Sequence, residues 1–91
     1  MRFDWDENKA AANRLKHGVS FREASTVFED QFHIVYFDTE HSIDESRFIV
    51  LGESAVHRLL VVSYVEKRFM IRIISARQAA RSERNHYEED I

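Results

Sequence analysis

The 91-residue sequence contains no cysteine and no proline, and it has only two glycines. Without cysteine there can be no disulfide, thiolate metal site or thiol nucleophile. So little glycine excludes a Gly-rich phosphate loop or a dinucleotide-binding fingerprint, and with these most enzyme classes. No segment approaches the roughly 20 apolar residues of a membrane span, and the N-terminus lacks the apolar stretch of a signal peptide. We therefore expect one cytoplasmic domain over residues 1–91, with no membrane association.

The charges that are present are unevenly distributed. The segment from Glu29 to His57 holds seven acidic residues and one basic residue, whereas the segment from Arg58 to Arg84 holds seven basic and two acidic residues. Such a division predicts a polarised surface whose basic part could bind a polyanion. The alternative is that both segments are ordinary solvated faces, and charge alone does not separate the two interpretations.

Two helices are predicted near the N-terminus. Asp6 can cap a helix over about Glu7–His17, whose basic residues fall in the last turn and which Gly18 can terminate. Ser20 and Glu23 form a capping box that begins a second, short helix through about residue 28.

The rest of the chain predicts a sheet followed by a helix. Aromatic and β-branched segments indicate four strands, and their short connections favour antiparallel pairing. From about Ala76 to about Glu89 the composition is helical. The sequence therefore predicts an α+β fold with two N-terminal helices, a C-terminal helix and a four-stranded, mainly antiparallel sheet over residues 32–37, 47–52, 58–65 and 69–75.

Arg72 is the first candidate site residue, because it interrupts an apolar strand. By strand alternation it shares a face with Met70 and Ile74. A guanidinium among apolar neighbours needs an anion. That anion is either a structural carboxylate or the phosphate of a ligand on the open face of the sheet.

The predicted last helix supplies a second cluster. Helical spacing places the charged residues on one face and small residues with Glu83 and Tyr87 on an adjacent stripe. Carboxylate, phenol and guanidinium groups together would suit phosphodiester chemistry, although a charge-laced surface helix has the same spacing. The two stripes comprise Arg77, Arg81, Arg84 and Glu88, and Ala76, Ala80, Glu83 and Tyr87.

The five histidines show no metal-binding spacing, so no metal or other cofactor is expected. His17 can act as a favourable cation at the end of its helix, or as a general base near neutral pH. Both interpretations of His17 stay open.

Distinctive motifs are spread along almost the whole chain, at residues 3–9, 16–21, 23–24, 27–28, 38–42, Arg47, Gly52, 58–62, 72–77, 83–84 and 87–88. Together these motifs resemble those of the BrnT toxin family. The resemblance leads us to expect glycine at position 57, where this chain has His57.

The resemblance implies a RelE-like fold and a ribonuclease toxin of a type II toxin–antitoxin system that shuts down translation. It also implies a partner, the BrnA antitoxin, which neutralises the toxin in a tight complex and carries the DNA-binding part. Operator DNA would then be contacted only through the antitoxin. Two toxins per complex are expected if the antitoxin dimerises on a two-fold operator.

We expect a metal-independent endoribonuclease in which the RNA 2′-hydroxyl attacks the adjacent phosphate. Arg72 and Arg77 are predicted to supply cations, Glu83 the base, and Tyr87 or His17 the proton for the leaving group. The alternative is a non-catalytic module that binds protein or nucleic acid. The predicted RNA-binding residues are Arg58, Lys67, Arg68, Arg81 and Arg84.

Overall fold

The computed structural model describes residues 1–89 and 91 and has a mixed α+β architecture. Short 3-10 turns occur at Thr26–Glu29 and Thr39–His41. No helix in this described part is long and apolar enough to cross a membrane. In chain order the elements are β1 (Arg2–Asp4), α1 (Glu7–His17), α2 (Phe21–Ser25), β2 (Ile34–Phe37), β3 (Arg47–Glu53), β4 (Leu59–Lys67), β5 (Met70–Gln78) and α3 (Arg81–Glu89).

The sheet has five strands in the order β1-β5-β4-β3-β2, so the prediction of four strands is wrong. The predicted antiparallel pairing is confirmed for β2 with β3, β3 with β4, and β4 with β5. The additional strand, β1, runs parallel to β5 and pairs Asp4 with Arg72. A three-residue strand is too short to show alternation, and the partner that makes it a strand lies far along the chain.

Strand β5 extends three residues past the predicted end, so the predicted start of the last helix at Ala76 is wrong. Val61 of β4 pairs with Arg77, and Leu60 pairs with Gln78. Pairing with the nine-residue β4 outweighs the helical preference of the local sequence. Arg77 is consequently a strand residue and does not share a helix face with Arg81 and Arg84.

A β-bulge in β5 decides which side chains reach each face of the sheet. Ser63 of β4 pairs with Ser75, but the next residue, Tyr64, pairs with Ile73, so Ile74 is the extra residue. Uninterrupted alternation would place Arg77 on the same face as Ile71 and Ile73. The bulge turns Ala76 to that face instead and sends Ser75 and Arg77 to the opposite one.

The two faces have different coverings. Helices α1 and α2 cover one face, where the main core contains Phe21, Val62 and Ile73. Helix α3 covers one end of the other face through a smaller cluster of Leu51, Leu59, Val61 and Tyr87. The rest of this second face is open, and we call it the open face.

Both predicted N-cap residues are confirmed, but the Glu23 carboxylate accepts hydrogen bonds from Ser54 and Arg58 instead of completing the capping box. Asp6 accepts hydrogen bonds from the backbone of Asn8 and Lys9, and Ser20 accepts one from Glu23. Gly18 ends α1 in the left-handed region with φ of 69°. Helix α2 ends at Ser25, and the predicted extension to residue 28 continues as the first 3-10 turn.

Helix α1 is fastened to the sheet by a buried amide. Its one buried residue among those described is Asn13. The Asn13 side chain donates to the carbonyl oxygens of Val19 and Ala76 at 3.0 and 2.8 Å, and its Oδ1 accepts from the Ala76 N–H at 3.1 Å. Strand β1 pairs with β5 only as far as Arg72. The Asn13 carboxamide therefore satisfies the β5 edge as the next peptide group of a strand would.

Replacing Asn13 with alanine should lower the free energy of unfolding by about 3 kcal/mol, because the substitution leaves buried backbone groups without partners. Asn8→Ala, on the exposed side of the same helix, should change it by less than about 0.5 kcal/mol. Urea denaturation of both variants measures the difference. Equal stabilities would show that the amide does not hold the helix.

Candidate functional site

The open face carries a cavity of about 400 Å³ where the end of α1, the β2–β3 connection and the sheet meet. Two serines, Ser63 and Ser75, lie on its floor. The charged and titratable side chains that line it are His17, Asp38, His41, Arg47 and Arg77. The cavity therefore combines cations with groups able to transfer protons near neutral pH.

Arg77 and Glu83 form a bidentate ion pair at the rim. Two guanidinium nitrogens of Arg77 each donate to a separate Glu83 oxygen at 2.8 Å. Glu83 also accepts the N–H of Ala80 at 2.7 Å, which caps α3. The hydrogen bonds from Arg77 are the main reason that the pKa of Glu83 lies below its ordinary value. Such a carboxylate suits holding the guanidinium in place better than removing a proton.

Arg47 is a second cation in the cavity. It lies on β3, opposite Val65, and is half-buried. Within the part of the chain that the structure describes, Arg47 forms no ion pair. A half-buried guanidinium without a carboxylate partner is a suitable site for an anion such as phosphate.

An aspartate–histidine pair lies at the mouth of the cavity. His41 Nδ1 is 2.9 Å from Asp38 Oδ2, and the Asp38 side chain is 12% exposed. The backbone of this connection is tied down, because Asp38 donates its N–H to the Arg47 carbonyl and Arg47 donates its own to Ser42 Oγ, both at 2.9 Å. The pair is thus held at a defined position.

His17 reaches the same cavity from the last turn of α1. The Asn13 amide fixes the helix, and Gly18 turns the chain away immediately after His17. The position is compatible with both roles predicted for His17.

A second cavity of about 250 Å³ continues from the first toward α3. The two cavities share Ile49, Val61 and Arg77. The rings of Tyr36 and His86 stand 6.0 Å apart at its edge. Together the cavities form a groove across the open face.

The structure does not bring two predicted catalytic residues to the cavity. Arg72 lies on the open face, level with Arg47 across the paired strands, but it forms an ion pair with Asp4 on β1 and does not line the cavity. The Tyr87 hydroxyl donates to Asp30 Oδ2 at 2.5 Å on the far side of α3. Burial, and then this hydrogen bond, raise the pKa of Tyr87.

The predicted RNA-binding residues lie in several places. Arg58 binds Glu23 at 2.5 Å and donates to the Gly18 carbonyl at 3.0 Å, on the side of the helices. Lys67, on β4, pairs with Glu45 at 3.2 Å, and Arg68 lies over the Phe69 ring at the β4–β5 turn. Arg81 and Arg84 are exposed on α3. The basic segment is therefore not one continuous surface.

Among the described residues, no group of three or more His, Asp or Glu side chains could hold a metal ion.

Comparison with known proteins connects this chain to a family. Residues 5–83 match the family profile of the ribonuclease toxin BrnT of type II toxin–antitoxin systems. The chain belongs to the BrnT family. The Brucella abortus ribonuclease toxin BrnT, known from a 1.1 Å crystal structure, superposes with a TM-score of 0.69 at 25% sequence identity, over 89% of this chain and 99% of that one. No curated protein sequence matches the chain.

Membership confirms the resemblance and makes this chain a member of a ribonuclease toxin family whose systems include an antitoxin. His57, at the position where the resemblance leads to the expectation of glycine, has φ of 66°. That is the left-handed backbone which glycine adopts without strain.

Arg47, Asp38 and His41 were not predicted as site residues from the sequence, and neither were the two serines. The first three belong to the motifs that carry the BrnT resemblance, and this was the signal that could have found them. The sequence places Arg47 in a strand and Asp38 and His41 in a polar connection. It does not show that these residues come close to β5, because this depends on strand pairing.

Tyr87→Phe should lower the free energy of unfolding by about 1–3 kcal/mol, because Asp30 loses a hydrogen bond to its charged form. Burial favours a higher pKa for Asp30, but hydrogen bonds from Glu53 N–H, Tyr87 and Phe32 N–H lower it overall. This stabilisation is present above the unfolded pKa of about 4 and is lost as the pH falls through the lower folded pKa.

Urea denaturation from pH 7 to pH 2.5 should therefore show the wild-type advantage shrinking below about pH 4. RNA cleavage at pH 7 should stay near the wild-type rate. A large loss of cleavage with unchanged stability would instead return Tyr87 to the catalytic site.

Proposed function

We propose that this chain is a metal-independent endoribonuclease whose active site is the cavity on the open face. The observation that carries the proposal is the convergence of Arg47 and Arg77 with the His17 imidazole in one cavity. Ribonuclease activity of the family supports it.

The proposed reaction uses the RNA 2′-hydroxyl as the nucleophile. Attack on the adjacent phosphorus builds negative charge on the phosphoryl oxygens and ends in a 2′,3′-cyclic phosphate and a 5′-hydroxyl. Arg47 and Arg77 stabilise that charge, and His17 delivers a proton to the departing 5′-oxygen. Glu83 acts by holding the Arg77 guanidinium over the cavity.

The groove suggests how RNA lies on the protein. Alternation along the paired strands places Lys67 and Arg72 on the same face as the cavity, toward the β4–β5 turn. At the other end, α3 lines the groove with Ser82, Glu83 and His86, and Arg81 is exposed on the same helix, whereas Arg84 lies on the side of Tyr87 and Glu88. We propose that RNA crosses the open face between these ends, with Arg68 near its exit, while Arg58 serves the fold through Glu23.

We further propose that the protein has a RelE-like fold and stops translation by cleaving RNA in the cytoplasm. The antiparallel sheet with helices on one face and an open face beside the last helix supports the first part. The type II toxin family supports the second.

Arg77→Ala should lower the rate of RNA cleavage about 10²–10³-fold, because it removes a charge that opposes the developing phosphoryl charge. Arg22→Ala is the matched control, since Arg22 is exposed on α2, away from the open face. Cleavage is followed with single-stranded RNA in EDTA, and the products are tested for a 2′,3′-cyclic phosphate.

Cleavage at the full rate by the Arg77 variant would show that the cavity is not the active site. A requirement for added Mg²⁺ would contradict metal independence. DNA cut as fast as RNA would contradict attack by a 2′-hydroxyl, which DNA lacks. RNA that binds but is never cut would favour the non-catalytic binding module.

For the antitoxin, we propose a BrnA-like protein that occludes the open face. A type II family implies such a partner, and the arginines of the groove favour an acidic antitoxin segment. The complex should contain two toxins and an antitoxin dimer, and operator DNA should bind through the antitoxin alone.

Co-expression followed by light scattering should give that stoichiometry, and the purified complex should not bind RNA. Free toxin should bind the same RNA in parallel. Antitoxin and RNA bound together without mutual weakening would contradict occlusion.

A further inference from the structure

We infer that His41 is the general base of the ribonuclease reaction and that Asp38 is its positioning residue. This inference rests on the proposed function and adds the group which the cations and His17 do not supply. Glu83, the base that the sequence suggests, has both oxygens on Arg77 and a lowered pKa.

The geometry at His41 is that of an oriented imidazole. Because the Asp38 carboxylate can only accept hydrogen bonds, a neutral His41 places its proton on Nδ1, which lies 2.9 Å from Asp38 Oδ2. Nε2 is then left with a free lone pair. A carboxylate that fixes the tautomer and direction of a histidine is the arrangement that activates it as a base.

The surroundings of His41 allow an RNA substrate to reach it. The imidazole is 64% exposed at the mouth of the cavity, so a ribose can reach it. The cavity places it with two arginines and a second histidine. Charged and titratable groups face it from every neighbouring element, namely Asp38, Glu40, Asp44 and Glu45 of its own connection, Arg47 of β3, Arg77 of β5 and His17 of α1.

The step balances with two histidines. His41 Nε2 takes the proton of the 2′-hydroxyl while O2′ forms a bond to phosphorus. The bond from phosphorus to the 5′-oxygen breaks, and protonated His17 gives that oxygen a proton. Exchange of protons with water restores both rings, so no metal or further reactant is consumed.

His41→Gln should lower kcat about 10²–10⁴-fold, the usual contribution of a general base. His57→Gln is the matched control, because His57 lies outside the cavity with its side chain 84% exposed. Thermal denaturation checks that both variants are folded. The rate of the wild-type protein should fall at acid pH, because a protonated base cannot accept the proton of the 2′-hydroxyl. This acid limb of the pH–rate profile should be absent from the His41 variant.

Asp38→Asn should lower kcat about tenfold or more with KM unchanged, because the ring loses its fixed direction. The variant should keep the acid limb, since its base is still a histidine. A merely structural role for Asp38 would lower the melting temperature and leave kcat of the folded protein unchanged, which would overturn the positioning role.

A modified substrate distinguishes the base from the acid. It carries sulfur in place of the 5′-bridging oxygen at a cleavage site first mapped with ordinary RNA. Its thiolate leaves without a proton, so it should restore cleavage by His17→Gln and leave His41→Gln slow. Restoration of the His41 variant instead, or full activity of that variant on ordinary RNA, would overturn the inference. Wild-type protein that leaves RNA intact would overturn the proposed function and this inference with it.

Discussion

The Asn13 carboxamide is the interaction on which the arrangement of the site depends. Asn13 is the one buried residue of helix α1 among those described, and its amide gives the helix a specific attachment to β5 where β1 no longer pairs. The residue it binds, Ala76, stands between Ser75 and Arg77, both of which line the cavity. The same helix presents His17 one turn later. One buried side chain therefore sets the distance between a cation on the sheet and an imidazole on the helix.

Partners in the tertiary structure divide the arginines into two kinds. Arg58 and Arg72 bind carboxylates that come from distant parts of the chain, Glu23 and Asp4. Arg47 has no such partner among the described residues, and Arg77 is held by Glu83 at the rim of the cavity. Net charge along the chain could not show this difference, because it depends on which carboxylates fold next to which guanidiniums.

In the proposed chemistry, one residue holds the Arg77 guanidinium and a different residue acts as the base. Glu83 binds Arg77 through both oxygens, which makes it a good support and a poor base. An imidazole with one nitrogen on a carboxylate, at the mouth of the cavity, is suited to act as the base. The resulting combination of cations, a base and an acid needs only the 2′-hydroxyl of the substrate as a nucleophile, and this is consistent with a ribonuclease family.

Local sequence determined the helical caps at Asp6 and Ser20, the α1 helix, the antiparallel strands and, through its motifs, membership of the BrnT family. These features depend on neighbours within a few residues or on a pattern read along the chain. Strand β1, the extension of β5 and the bulge at Ile74 depend on pairing between distant segments, and no local propensity encodes that register. The bulge sends Arg77 to the open face, and only the packed sheet brings Arg47 and His41 to the same cavity. The kinds of residue in the site could therefore be predicted from the sequence. Which individual residues form it was decided by the tertiary structure, because a shift of one residue in a strand exchanges the two faces.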